Sequence, residues 1–187
     1  MVKSPCPTPD EGLPSDKGLF VVQTFTARYD PIEDRICLNA VDSRGAKQAI
    51  YLTRRLMDQI IPVVAKHLEE KTPKGVPADV VQSMTQERVR QARKAEPPAQ
   101  PVQADLETPR WLCTTFQMSK QPAGVMVTLT GDAACKAQMP LADLNLRTAL
   151  DIFRNTYAKA GWDMRAFPDW LGPEQAAAGQ GAQVRLN

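Results

Sequence analysis

Apolar positions recur along this chain in the same order twice. Three stretches of strand-type sequence precede one amphipathic helix in residues 19–70, and the same order returns in residues 110–171. Alternation with a period of two predicts half-buried strands, whereas apolar residues three and four positions apart predict a helix with one buried face. The sequence therefore predicts an α+β protein made of two βββα units.

The first unit is predicted to be an antiparallel meander followed by a helix. Its strands are predicted over residues 19–29, 35–41 and 47–52. The turns between them are too short for a crossover, which favours antiparallel pairing. Thr53 has the side chain of a helix N-cap, and Pro62 within the helix predicts a kink.

The second unit repeats this order with different residues. Its strands are predicted over residues 111–118, 125–130 and 135–141. Pro140 cannot donate a ladder hydrogen bond, so it predicts an edge position for the third strand. Either Asp143 or Asn145 is expected to cap the following helix, and Gly161 is expected to end it in the left-handed conformation.

Prolines mark the boundaries of these units. Many of the 16 prolines lie in the first fourteen residues or between Pro62 and Pro109. The prolines of the second group lie on both sides of one charged helix, which is predicted over residues 78–95 and is expected to be exposed to solvent. The predicted organisation is a mobile arm (1–18), a first βββα unit (19–70), a Pro-rich connector with a charged helix (71–109), a second βββα unit (110–171) and a disordered tail (172–187).

Each βββα unit alone would be marginal. One helix on a three-stranded sheet buries a thin core and leaves both outer strand edges unpaired. Two arrangements remedy this and both are open at this point. The units could join their edges into one six-stranded sheet, or they could pack their helices against a shared layer.

Composition narrows the classes of function. A net charge of +2 lacks the basic excess typical of nucleic-acid binders and of proteins that bind membrane surfaces. No apolar run approaches the roughly 20 residues of a membrane-spanning helix. The first residues do not have the layout of a secretory signal. We therefore expect a soluble, cytoplasmic protein with no membrane partner.

The chain has no recognisable motif for a cofactor or a metal. None of its ten glycines forms a phosphate-binding pattern, and none of its four cysteines has C-x-x-C spacing. We expect free, apolar cysteines rather than disulfides or metal ligands. Asp30, Glu33 and Asp34 form an acidic group around Pro31, for which a turn between strands is a better explanation than a calcium loop. No catalytic, cofactor-binding or metal-binding residue is predicted.

A binding function remains the leading hypothesis. Phe167, Trp170 and Leu171 lie beside the predicted tail, and large aromatics often anchor interfaces. They suggest a non-enzymatic accessory subunit, adaptor or assembly factor whose partner is another protein or a second copy of the chain. The competing interpretation is that these residues fold back over the last helix together with Trp162.

Two other functions stay open as alternatives. The first is nucleic-acid binding by basic residues of the connector helix and of the first helix, although a solvated helix face and an Arg54–Asp58 pair explain them more simply. These residues are Arg88, Arg90, Arg93, Lys94, Arg54 and Arg55. The second is a small enzyme centred on His67, the only histidine, for which a solvated position in the last helical turn is the simpler expectation.

Overall fold

A computed structural model describes residues 19–97, 100–132, 134–172 and 183–185. Its elements are β1 (Phe20–Asp30), β2 (Arg35–Asp42), β3 (Lys47–Thr53), α1 (Arg54–Glu69), α2 (Ala78–Ala95), β4 (Arg110–Gln121), β5 (Gly124–Gly131), β6 (Lys136–Leu141), α3 (Asp143–Ala160) and β7 (Gln183–Arg185). A 3-10 turn, Asp169–Leu171, follows α3. Within these residues the protein is α+β, with a mostly antiparallel sheet of six main strands and three α-helices.

The six main strands form a closed ring. β1–β2–β3 and β4–β5–β6 are antiparallel meanders. Short parallel ladders join them: Ala49–Tyr51 of β3 pairs with Arg110–Leu112 of β4, and Phe20–Val21 of β1 pairs with Ala137–Gln138 of β6. Because every strand has a neighbour on both sides somewhere along its length, the sheet closes into a barrel.

The prediction of an edge position for Pro140 is correct only locally. β6 lies between β5 and β1, so it is not an edge strand of the sheet. Its ladder with β1 covers only Ala137 and Gln138, whereas Pro140 faces Met126 of β5. Pro140 therefore lies in a part of β6 that has a partner strand on one side only.

The two helices that follow the meanders begin differently. Thr53 caps α1, and its side-chain oxygen accepts a hydrogen bond from the Leu56 N–H at 3.2 Å. α1 continues through Pro62 to Glu69. At the start of α3 the cap position belongs to Ala142, which has no capping side chain, so neither Asp143 nor Asn145 is the cap. Gly161 ends α3 in the left-handed conformation, as predicted, with φ of 66°.

One continuous hydrophobic core joins both halves of the chain. Met57 and Ile61 of α1 are fully buried, as are Leu146 and Leu150 of α3. These side chains line the same apolar interior as residues of both meanders, among them Leu38 and Leu129. The two halves of the chain therefore share one closed sheet and one hydrophobic core.

The connector helix α2 is part of the folded body, contrary to the solvent-exposed helix expected from its composition. It packs on α3 and on the 3-10 turn. The face that it buries carries mainly polar residues: Gln82, Gln86, Val89 and Arg90. Gln82 donates a hydrogen bond to the Leu68 carbonyl at 3.0 Å. Hydrophobic periodicity could not predict this packing because the buried contacts are mainly hydrogen bonds.

The C-terminal residues differ in part from the predicted disordered tail. Gln183–Arg185 form strand β7, which pairs antiparallel with Thr24–Thr26 of β1. The predicted mobile arm (1–18) and the remainder of the tail beyond Gly172 lie outside the described residues.

Candidate protein-binding edge

The aromatic residues suggested as a docking site are buried. Phe167 and Trp170 are each 8% exposed and Leu171 is fully buried. The Trp170 indole donates a hydrogen bond to Glu69 Oε1 at 2.7 Å. These three residues therefore present almost no accessible surface to a binding partner. Their position agrees with the competing interpretation, in which this segment folds back onto the protein.

Tyr157 of α3 is the centre of this aromatic packing. The rings of Trp162 and Phe167 lie edge-on to it, with centroids 4.9 and 5.0 Å away. Its hydroxyl donates a hydrogen bond to Asp58 Oδ1 at 3.0 Å. Burial, and then the hydrogen bond to Asp58, raise the pKa of Tyr157 far above its usual range. This cluster fixes the C-terminal segment onto α1 and α3.

The six basic residues do not form one surface patch. Arg90 is 8% exposed and its guanidinium binds Asp151 of α3, with Nη2 to Oδ1 at 2.7 Å. It also donates to the Leu171 and Gly172 carbonyls. Arg90 therefore holds α2 in place and is not available to a phosphate backbone.

The other basic residues are more accessible. Arg54, Arg55, Arg88 and Lys94 are exposed, and Arg93 is half-buried. Arg54 Nε lies 3.6 Å from Asp58 Oδ2, which confirms the predicted pair within α1.

His67 is buried, contrary to the solvated position expected for it. It is 4% exposed, and Nε2 lies 3.5 Å from Asp143 Oδ1. Neither ring nitrogen makes a hydrogen bond within the described part of the protein. Asp143 also binds Lys71 Nζ, with both carboxylate oxygens at 2.6 Å. The site contains no neighbouring serine or cysteine nucleophile among these contacts.

The acidic residues between β1 and β2 form a turn, as predicted. Asp30 Oδ1 accepts hydrogen bonds from the Ile32 and Glu33 N–H groups at 3.1 and 3.3 Å. Asp34 accepts from the Tyr29 hydroxyl and from the Trp162 indole. No group of His, Cys, Asp and Glu in the described residues could hold a metal ion.

Three cysteines lie in the described residues and two of them are free. Cys37 and Cys113 are buried, and burial raises the pKa of both thiols, so they are poor nucleophiles. Cys135 is disulfide-bonded, contrary to the expectation of free cysteines.

Strand β1 shows how one edge of the barrel is completed. One side of β1 pairs with β2 from Val22 to Asp30. The other side pairs with β6 only at Phe20 and Val21, and β7 then pairs along Thr24–Thr26. β7 also contacts α3, so this edge is an occupied groove between β1 and a helix.

Strand β4 has a similar arrangement, but among the described residues no further strand is added to its second side. One side of β4 pairs with β5 from Cys113 to Gln121, and the other pairs with β3 only over Arg110–Leu112. Beyond Leu112 no strand of the described residues pairs with this second side. We call the stretch Thr114–Ser119 the β4 edge. Its exposed residues are Thr114, Thr115, Gln117 and Ser119.

The occupied and empty edges are chemically alike. The pairing register shifts once within each strand. The shift lies between Val22 and Thr24 where β1 pairs with β2, and between Cys113 and Thr115 where β4 pairs with β5. After the irregularity β1 reads Thr-Phe-Thr and β4 reads Thr-Phe-Gln. Residues 111–119 contain no charged side chain, although charges are a common protection of unpaired edges.

One large apolar residue of α1, the helix that contacts β4, is exposed. Val63 of α1 is 46% exposed, whereas Ile152 of α3 is 2% exposed. Sequence reasoning missed the β4 edge because alternation does not reveal which side of a strand lacks a partner. The absence of charges over residues 111–119 was the available signal.

Comparisons of the chain with protein-family models, with curated proteins and with solved structures find no match. Among the described residues no helix has the length and apolar character needed to cross a bilayer.

Proposed function

We propose that the barrel consists of two copies of one βββα unit. Adding 89 to the residue numbers turns the β2–β3 partners Ile36 and Leu52 into the β5–β6 partners Val125 and Leu141. The same shift turns the first residue of α1, Arg54, into the first residue of α3, Asp143. The agreement of the β2–β3 and β5–β6 pairing and of the helix starts supports a structural repeat in spite of low residue identity. The irregularities of β1 and β4 are 91 residues apart, two more than this shift.

The turns after β2 and β5 support the repeat independently. The Asp42 N–H donates to the Ala46 carbonyl at 3.0 Å, and the Gly131 N–H donates to the Cys135 carbonyl at 2.9 Å. The same shift of 89 relates both donors and both acceptors. In this scheme α2 and β7 have no counterpart in the repeat. β7 pairs with β1 of the first unit, and α2 packs on α3 of the second.

From this repeat we infer that the protein is a non-enzymatic accessory subunit, adaptor or assembly factor that acts by binding another protein. The observation that carries it is the uncharged β4 edge, to which no described strand is added, whereas β1 accepts strand β7. Adding a strand to an open sheet edge is a common way of binding an extended peptide, because main-chain hydrogen bonds supply affinity. The binding site is thus assigned to β4 and α1, in place of the buried residues Phe167, Trp170 and Leu171.

The half-buried side chains on β4 suit this role. Phe116 and Met118 pack partly against the core and leave some apolar surface beside the edge. An added strand would cover that surface and Val63 together. Apolar burial and backbone hydrogen bonds would then act on the same segment of the partner.

A photo-crosslinking amino acid at Gln117 tests this proposal, with the same group at Gln91, an exposed position of α2, as the matched control. The tagged full chain is irradiated both in purified form and in an extract of its native cells, and crosslinked peptides are identified by mass spectrometry. We expect crosslinks from position 117 to map to one extended segment of a defined protein. Crosslinking at 117 that is no more frequent or specific than at 91 would contradict a binding role for the β4 edge.

A further inference from the structure

We propose that the segment added to the β4 edge is the β4 edge of a second copy of the same chain. The two strands would run antiparallel across a twofold axis, and the barrels would join into one continuous sheet. This inference rests on the proposed function and names its partner.

Space for an added strand beside a helix exists at the corresponding place. β7 lies against both β1 and α3, so the groove between the first strand of one unit and the helix of the other admits a strand. α1 contacts β4 as well, and no described strand pairs with the second side of β4 beyond Leu112. Val63 of α1, which is 46% exposed, is expected to lose exposure in the dimer.

A second β4 is a better occupant than a second β7. If β7 of another copy moved to the β4 edge, the β1 strand of that copy would lose its own partner. Each edge that gained a strand would therefore leave another edge without one. Two β4 edges that pair with each other satisfy both sets of main-chain groups and open none. The contact is isologous, so it closes at two chains and does not propagate.

The residues of the β4 edge are compatible with such self-pairing. With the twofold axis at Gln117, Phe116 faces Met118 of the second copy, and Thr115 faces its Ser119. Apolar pairs and hydroxyl pairs stabilise antiparallel strands, and no two like charges are opposed. The β4–β5 register leaves Phe116 and Met118 on the same face of the sheet, so the cross-strand pair is geometrically consistent.

Sedimentation velocity of the purified full chain over a wide concentration range tests this proposal. Gln117→Lys and Gln117→Glu are measured separately and as an equimolar mixture. The same substitutions at Gln23, an exposed glutamine of β1, are the controls. Far-ultraviolet circular dichroism spectra of each full-length variant establish that it is folded.

We expect the wild-type chain to pass from one-chain to two-chain mass as its concentration rises. Each variant at 117 should weaken the dimer at least about fivefold, because like charges then meet at the twofold axis. Mixing the Lys and Glu variants should restore association, and the Gln23 variants should behave as wild type.

A one-chain mass at all concentrations would overturn the dimer. So would a dimer that is indifferent to charge at 117, or one that disappears when residues 183–187 are removed, since the last result would indicate exchange of β7. If the chain is monomeric but position 117 crosslinks to a strand of another protein, the proposed function stands and only the dimer fails. If neither is observed, both fail.

Discussion

At the scale of single residues, charged and amide side chains hold α2 against α3. The Arg90–Asp151 pair is at its centre, and Asp151 Oδ2 also accepts a hydrogen bond from Gln86 Nε2 at 2.8 Å. A buried charge that loses its partner is costly, whereas an exposed charge contributes little. Arg88 and Arg90, two residues apart in α2, should therefore contribute very differently to the stability of the protein.

Replacing Arg90 by alanine should lower the free energy of unfolding by about 3 kcal/mol, because Asp151 is left buried and unpaired. Replacing Arg88, which is exposed, should change it by less than about 0.5 kcal/mol. Urea denaturation of both variants measures the difference. Equal effects would mean that α2 does not depend on the buried ion pair.

Asp42 should contribute to the pH dependence of stability. Burial alone would raise its pKa, but hydrogen bonds from the Arg44 side chain and from the Ala46 and Arg44 N–H groups outweigh that effect and lower the pKa. Because the folded state has the lower pKa, the stabilisation is complete above the unfolded value of about 4 and is lost as the pH falls through the folded value.

The test compares the wild-type chain with Asp42→Asn by denaturation at a series of acidic pH values. The wild type should lose more stability below about pH 4 than the variant, so that the two curves converge as the solution becomes more acidic. Parallel curves would show that Asp42 is not the titrating group.

At the scale of elements, periodicity predicted most strands and helices, and it failed where burial is polar. The strand predicted over 125–130 is β5, Gly124–Gly131, because its alternating apolar residues face a single interior. The burial of α2 and of His67 was not predicted, because Gln86 and Arg90 have no apolar pattern and meet their partners only in the folded chain. The unpaired side of β4 depends on the strand order, which alternation does not encode.

The two corresponding helix starts give a paired prediction. Thr53→Ala removes the only capping side chain of α1 and should cost about 1 kcal/mol of unfolding free energy. Ala142 has an extended conformation like that of Thr53, with φ of −68° and ψ of 159°, but offers no capping oxygen. Ala142→Thr should therefore stabilise the protein by a similar, somewhat smaller amount. Thermal denaturation of both variants is the measurement, and destabilisation by Ala142→Thr would contradict the equivalence of the two sites.

At the scale of the whole molecule, the proposed duplication accounts for the closed barrel and for the side of β4 that has no partner among the described strands. Each unit supplies three strands, and the parallel ladders between units close the ring. β7 then pairs with β1, whereas no described strand pairs with the second side of β4 beyond Leu112. This asymmetry is the reason for placing the binding surface there.

The most direct test of this account is hydrogen–deuterium exchange of individual backbone amides, measured by NMR on the full chain when dilute and when concentrated. The amides of Thr24–Thr26 should exchange slowly in both samples, because β2 and β7 flank them. From Thr115 to Ser119, every second amide should exchange rapidly in the dilute sample and slow markedly in the concentrated one, because only alternate N–H groups point to the open side. Slow exchange of all β4 amides in the dilute sample would show that the edge is already covered within one chain, and would contradict the central claim.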